Sequence, residues 1–224
     1  MTTAIGRLAV GLGFLLLVAG VAPTFADTVV LDNTNCGASC FGNVLTLTFS
    51  PNSGTGITVT LTVNTSGNTN PGAAIAGVNF GFGTIGNNSA TLISFNGGST
   101  AGWSTNTSSL SASGCGTNNG NFGCSEDVSY LTVIGATPLA PLNGSTYTWT
   151  WTVNSTGYNT GDSVHIGVLF GNGAKTAGQN IKFESTGIIS QSAPGTAVPE
   201  PGTLALMGTG LVGLAGVVRR RWLG

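Results

Sequence analysis

The residues of this sequence that could do chemistry are few. Glu126 and Asp127 are adjacent carboxylates, but on a strand they would point to opposite faces, which predicts a poor acid–base pair. An acid–base pair formed when Asp162 or Glu184 approaches one of these carboxylates in the folded chain stays an open alternative. The single histidine, His165, lies in "SVHIGV", and a lone strand histidine is more often packed or hydrogen-bonded than catalytic. We therefore expect no catalytic residue and no enzymatic activity.

Four cysteines fall in two local pairs, "CGASC" (Cys36, Cys40) and "CGTNNGNFGC" (Cys115, Cys124). They allow three connectivities, of which the nearest-neighbour one closes two loops rich in Gly, Ser and Asn. A loop of about ten residues would gain on the order of 2–3 kcal/mol from closure. Zinc and redox catalysis are weaker alternatives, because neither spacing is CxxC. The sequence predicts disulfides, no metal and no cofactor.

Aromatic side chains suggest a different chemistry, which is sugar binding. Tyr147, Trp149 and Trp151 share one face of a predicted strand, where they would stack on sugar rings if exposed or line the core if buried. Burial is the favoured interpretation because the opposite face is all Thr. Trp103, in the loop-like "GGSTAGWSTNTSSL", is the better candidate for an exposed ring. Asp32 in "LDNTN" offers oxygen ligands that calcium accepts, but the spacing favours a turn.

The body that must position these groups is predicted to be all-β. The segments "ITVTLTV" (57–63) and "YTWTWTV" (147–153) alternate between apolar or aromatic residues and Thr, which is typical of strands with one buried face. Turn-forming Gly, Asn and Pro separate further candidate strands. We expect one antiparallel β-sandwich over 27–196, jelly-roll-like or immunoglobulin-like. The further candidates are 44–49, 77–82, 91–95, 128–134, 163–170 and 180–185.

The sequence also contains an internal repeat. Residues 57–83 align without a gap on residues 147–173, with 11 of 27 positions identical at an offset of 90. The abundance of Thr and Gly contributes part of this match by chance. The repeat predicts two copies of a strand, an Asn/Gly-rich turn and a returning strand. The two copies would hold equivalent places in the sandwich.

Charge excludes one class of partner. Charged residues make up 6% of the 224 residues, against about 25% in an average soluble domain. Between residues 27 and 198 there are two cations and six anions, a formal charge of −4. Nucleic-acid binding depends on neutralising phosphates with a basic patch. We therefore expect no nucleic-acid partner.

The N-terminus has the pattern of a secretory signal peptide. One early cation, Arg7, precedes a mostly apolar run over 8–19, and small residues precede a cut before Asp27. This order of charge, apolar core and small residues predicts a signal peptide over 1–26. A retained membrane anchor is the alternative, but the apolar core is short and Pro23 follows it. Export places the cysteines in an oxidising compartment, which favours disulfides.

The C-terminus has three parts in a fixed order. In "VPEP", Pro199 and Pro201 bracket Glu200, which favours an extended segment that presents one carboxylate. The following 17 residues, 202–218, carry no charge, and a helix of that length just crosses a bilayer core. Cations resist translocation, so the body would face outward. The cations that end this helix are Arg219, Arg220 and Arg221.

This end of the chain, over 197–224, resembles the PEP-CTERM sorting signal. The resemblance implies recognition by exosortase, a membrane-embedded cysteine-protease-like enzyme, and later removal of the helix. It also implies a Gram-negative host that makes exopolysaccharide. One departure is that Trp222, Leu223 and Gly224 follow the arginines, and an ordinary anchor is the alternative. The resemblance assigns the recognition motif to Val198, Pro199, Glu200 and Pro201.

These observations predict an exported protein with a structural or adhesive role in a biofilm or exopolysaccharide matrix. The alternative is a carbohydrate-binding module with Trp103, Trp149 and Trp151 as its candidate residues. The expected partners are an exosortase-like enzyme, the membrane through the C-terminal helix before processing, and extracellular polysaccharide. The expected location is the inner membrane at first, then the cell surface or matrix.

Overall fold

The computed structural model describes residues 26–51, 56–82, 90–116, 122–154, 162–177, 180–194, 196–198 and 209–210. All its strands lie in one compact unit, Ala26–Val198. Residues 1–25 of the predicted signal peptide lie outside the described residues, as do Pro199, Glu200, Pro201 and the three C-terminal arginines. Of the predicted helix over 202–218, only 209 and 210 are described, and both are helical.

Strands make up most of the described part of the chain, and the prediction of an all-β fold is confirmed. Within Ala26–Val198, the helical elements among the described residues are a 3₁₀ turn, Gly37–Cys40, and one short helix, α1 (Val128–Thr132). None of the described helices has the length and apolar character that a membrane span needs. The strands are β1 (Ala26–Leu31), β2 (Val44–Pro51), β3 (Gly56–Asn64), β4 (Ala74–Phe82), β5 (Ala90–Phe95), β6 (Trp103–Asn106), β7 (Leu110–Ser111), β8 (Gly114–Cys115), β9 (Phe122–Asp127), β10 (Thr146–Asn154), β11 (Ser163–Ala177), β12 (Asn180–Pro194) and β13 (Thr196–Val198).

The strands form two large sheets and a small hairpin. The six-stranded sheet has the order β13-β1-β2-β3-β10-β5, and the five-stranded sheet has the order β12-β11-β4-β9-β6. β7 and β8 pair with each other. Neighbouring strands within each sheet run antiparallel.

A shared apolar core joins the two large sheets in a sandwich-like arrangement. The rings of Phe49, from the first sheet, and Phe82, from the second, lie 4.7 Å apart. Trp151 contacts Phe80 in the same way, with ring centroids 5.0 Å apart. Alternation explains this packing, because every second residue of β3 and β10 is buried and period two places those residues on one face.

Rows of threonine cover the opposite face of the six-stranded sheet. One row runs through Thr28, Thr48, Thr60 and Thr150 as successive register partners. These residues are partly exposed. Two parallel rows continue the pattern, and β2, β3, β10 and β5 contain no Asp, Glu, Lys or Arg. The parallel rows are Thr46, Thr62 and Thr148, and Thr58, Thr152 and Thr91.

One strand prediction is wrong. The β-branched residues of 128–134 favour a strand, but the first five residues of this segment form α1. The carboxylate of Asp127 accepts a hydrogen bond from the backbone N–H of Tyr130 at 3.1 Å, which is the N-cap that a helix start favours. Tyr130 and Leu131 then pack in a second apolar cluster against the five-stranded sheet. Capping and packing therefore override local β propensity here.

The internal repeat coincides with the two central strand pairs. The first copy supplies β3 and β4, and the second supplies β10 and β11. Thr60 pairs with Thr150, and Val78 pairs with Val168, so in each sheet a residue faces its own counterpart 90 positions later. Such pairing relates the two strands of each pair by a local twofold axis. The two copies thus hold equivalent places in the sandwich.

Candidate functional site

Both cysteine pairs are disulfide-bonded to their nearest neighbours. Cys36 is joined to Cys40 with a Cα–Cα distance of 5.7 Å, across the 3₁₀ turn. Cys115 is joined to Cys124 with a Cα–Cα distance of 5.9 Å. The second bond ties β8, in the small hairpin, to β9 in the five-stranded sheet.

The three tryptophans among the described residues lie in the core rather than on an exposed face. Trp149 and Trp151 are fully buried, and Trp103 is only 8% exposed. Trp103 lies in β6, and its ring meets that of Trp149 edge-on at 5.3 Å. The expectation that Trp103 is an exposed loop residue is therefore wrong. Its Ser/Thr/Gly-rich surroundings resemble a loop, whereas its partner lies 46 residues further along the chain.

The two adjacent carboxylates have separate environments. Asp127 is fully buried, and besides capping α1 it accepts the Leu139 backbone N–H at 3.0 Å. Glu126 is partly buried, and its Oε2 accepts the Cys115 backbone N–H at 2.5 Å. Burial raises the pKa of Glu126 above its ordinary value of 4.5, although the hydrogen bond from Cys115 opposes this. Asp127 is thus a structural cap, and Glu126 is a partly buried carboxylate with a hydrogen bond from the Cys115 N–H.

Glu126 lines a cavity of about 450 Å³. Four segments build its walls: the hairpin of β7 and β8, the end of β9, helix α1 and the start of β12. Sequence reasoning missed this cavity, because no motif joins these segments and the pattern of 128–134 predicts a strand. The lining residues are Ser113, Cys115, Glu126, Val128, Leu131, Thr132, Lys182 and Phe183.

His165 is a hydrogen-bonded strand residue. Its Nδ1 lies 3.3 Å from the hydroxyl of Ser192, its Nε2 lies 3.4 Å from that of Ser190, and the Phe122 ring packs against it at 5.4 Å. Burial lowers the pKa of His165 below its ordinary value of 6.5. These contacts hold the imidazole ring in position between two strands.

Asp32 is a turn residue. Its Oδ1 accepts hydrogen bonds from the backbone N–H of Thr34 at 2.8 Å and from the Thr34 hydroxyl at 2.6 Å. These bonds lower the pKa of Asp32 below its ordinary value of 3.8. No group of three or more His, Cys, Asp or Glu that could hold a metal ion occurs in the part of the chain that the structure describes.

The predicted sorting motif begins inside the compact unit. Val198 is the last residue of β13 and pairs with Ala26, the first residue of β1. The predicted cut before Asp27 therefore lies next to the start of the motif. Because Pro199 has no N–H to donate, it cannot continue the ladder as a donor.

Comparison with known proteins identifies the C-terminal segment. Residues 197–221 match the family model of the PEP-CTERM protein-sorting motif, which confirms the resemblance seen in the sequence. The motif implies an exported protein that is transiently anchored in the membrane and processed by exosortase. No curated protein is significantly similar to the chain.

Proposed function

We propose that this chain, which carries a PEP-CTERM motif, is a non-catalytic component of the cell surface or of a biofilm and exopolysaccharide matrix, with a structural or adhesive role. The motif match over 197–221 is the observation that carries the proposal. In this proposal residues 1–26 are the signal peptide and 27–196 are the mature body. Residues 197–224 are the sorting signal, with its transient membrane helix over 202–218, and the host is a Gram-negative bacterium.

The described body supports an extracellular role. Both of its cysteine pairs form disulfides, which persist in oxidising compartments and are rare in the cytosol. Its two large sheets enclose an apolar core, and the six-stranded sheet carries hydroxyl groups on its outer side. We propose that this body is a jelly-roll-like or immunoglobulin-like β-sandwich.

The delivery proposal is tested at Glu200. In a host with the cognate sorting enzyme, we expect Glu200→Ala to remain uncleaved and membrane-bound, because it removes the one carboxylate of the recognition motif. Glu184→Ala is the matched control, since Glu184 is an exposed acid of the body. Membrane fractionation with intact-mass measurement of the released protein reads out cleavage.

Equal release of Glu200→Ala and wild type would contradict recognition through Glu200. Retention of the wild type itself in that host would instead favour an ordinary C-terminal anchor. Loss of release in the Glu184→Ala control would show that the body, rather than the motif, limits sorting.

A further inference from the structure

The cavity beside Glu126 brings unlike chemical groups together. Glu126 supplies a carboxylate, Lys182 an ammonium group, and Ser113 and Thr132 hydroxyls, while the ring of Phe183 adds an apolar surface. Its volume of about 450 Å³ falls in the range of about 300–1,000 Å³ that small-molecule sites occupy. An apolar wall with a few convergent polar groups is the usual composition of such sites.

The carboxylate of Glu126 is held in place before any ligand binds. The Cys115 N–H donates to it, and the disulfide to Cys124 fixes that strand to β9. Gly114 has a φ of +107°, and a Cβ there would collide with Glu126 Oε2 and reach 3.0 Å from Leu131 Cδ1. The glycine therefore makes room for this carboxylate position. A partly buried carboxylate that is already oriented can accept hydrogen bonds from a ligand at little ordering cost.

Lys182 supplies the positive charge at the cavity. It is exposed and has no ion pair within the described residues, whereas its register partner Lys175 is paired with Glu184. The two body cations therefore differ, because Lys175 is paired with Glu184 on the surface and Lys182 lines the cavity.

The combination of groups restricts the class of ligand. A phosphate dianion would bring two negative charges close to Glu126, where a single carboxylate brings one, and a simple amine would be repelled by Lys182. A neutral sugar would satisfy Glu126 with its hydroxyls but would leave Lys182 unused. A sugar that carries one carboxylate satisfies both groups, and the C–H face of its ring can pack on Phe183 and Leu131.

We propose that this cavity binds a uronic acid residue of an acidic glycan. Glu126 accepts hydrogen bonds from ring hydroxyls, Lys182 pairs with the uronate carboxylate, and Ser113 and Thr132 add hydroxyl contacts. The inference goes beyond delivery of the chain, and it holds whether or not exosortase processes it.

The test is a titration of the ¹⁵N-labelled full chain, purified in detergent, with D-glucuronate. D-glucose and acetate are the comparison probes, because each carries only one of the two recognised features. We expect amide shifts confined to α1, β8, β9 and the start of β12, and binding of glucuronate about tenfold tighter than that of glucose. No shifts with either sugar, or equal shifts with acetate, would overturn the proposal.

Two variants separate the roles of the charged groups. Lys182→Met should bring glucuronate binding down to the level of glucose, about a tenfold loss, and Glu126→Gln should weaken both sugars. Lys175→Met is the matched control. Lys175 is the register partner of Lys182 in the neighbouring strand, but it does not line the cavity. The thermal midpoint of each variant checks folding.

If Lys175→Met reduced glucuronate binding as much as Lys182→Met, the effect would be general surface charge and the proposal would fail. If Glu126→Gln bound both sugars as the wild type does, Glu126 would not be a ligand. Delivery is measured separately through Glu200, so the failure of one proposal leaves the other intact.

Discussion

The two copies of the internal repeat share a backbone but fill the core differently. Their identical positions are mostly Thr and Gly, which lie on the outer face or where chains approach closely. Two of their inward positions differ strongly in size, since the second copy has Trp149 and Trp151 where the first has Val59 and Leu61. Trp149 faces Leu61 in the ladder, and Trp151 faces Val59. Each large ring therefore lies beside a smaller side chain of the other copy, which is how well-packed cores interdigitate.

The same complementarity occurs in the five-stranded sheet. Gly167 of the second copy faces Asn79 of the first, and Gly77 of the first faces Leu169 of the second. A Cβ on Gly167 would collide with the buried amide of Asn79, whereas a Cβ on Gly77 would meet Leu110 Cδ1 at 2.9 Å. Gly167 thus accommodates Asn79, at a position where the copies differ, whereas the space beside Gly77 is occupied by Leu110, which lies outside both copies.

The largest expected difference between the copies lies at Trp151 and its counterpart Leu61. Trp151→Ala should lower the free energy of unfolding by about 4 kcal/mol and Leu61→Ala by about 3 kcal/mol. Trp151 contributes more because it also donates from Nε1 to the Ser125 hydroxyl at 2.8 Å. Urea unfolding of the full chain, followed by far-ultraviolet circular dichroism, measures both. Equal losses in the free energy of unfolding would mean that Trp151 stabilises the core no more than Leu61 does.

A smaller difference is expected at the paired glycines. Gly167→Ala should cost about 1–3 kcal/mol, as overpacking does, because the buried Asn79 has little room to move. Gly77→Ala should cost less, since the end of a flexible Leu110 side chain can give way. Thermal unfolding of both variants checks the order. When Gly167→Ala is introduced into an Asn79→Ala background, it should lower the free energy of unfolding by less than it does in the wild type. An equal loss in both backgrounds would show that the collision with Asn79 is not the cause.

The smallest effect is expected at His165, whose counterpart in the first copy is Ile75. The folded pKa lies below 6.5 because of burial, so the unfolded chain takes up the proton first as the pH falls. Stability should therefore be retained above about pH 6.5 and decline as the pH falls through the folded pKa. His165→Ile should flatten this part of the stability profile, measured as thermal midpoints between about pH 7.5 and pH 5. If His165→Ile left the change of thermal midpoint with pH unaltered, other titratable groups would cause the loss of stability in acid.

The sequence predicts strands best where one face is buried. β2, β3 and β10 alternate strictly because Thr faces outward and apolar residues face inward, so period two is visible without any tertiary information. The repeat is also visible in the sequence, because sheet geometry places Thr and Gly at the same positions of both copies. For the cysteines, the spacing favours neighbour pairing, but all three connectivities remain open until the folded chain brings Cys115 and Cys124 together.

Features that depend on distant contacts could not be read from the sequence. α1 depends on the Asp127 cap and on apolar packing below it, while its own residues favour a strand. The burial of Trp103 depends on Trp149, and the composition around Trp103 resembles a loop. The cavity needs four segments to meet, and neither Glu126 nor Lys182 has a neighbour in sequence that indicates a binding role.

The threonine rows of the six-stranded sheet have a consequence for the surroundings of the protein. Hydroxyl groups neither ionise near neutral pH nor gather counterions, so ionic screening has little there to act on. Hydration of the outer faces of β2, β3 and β10 should therefore depend little on salt concentration. A surface of this kind would stay hydrated as the ion content of the surrounding solution changes.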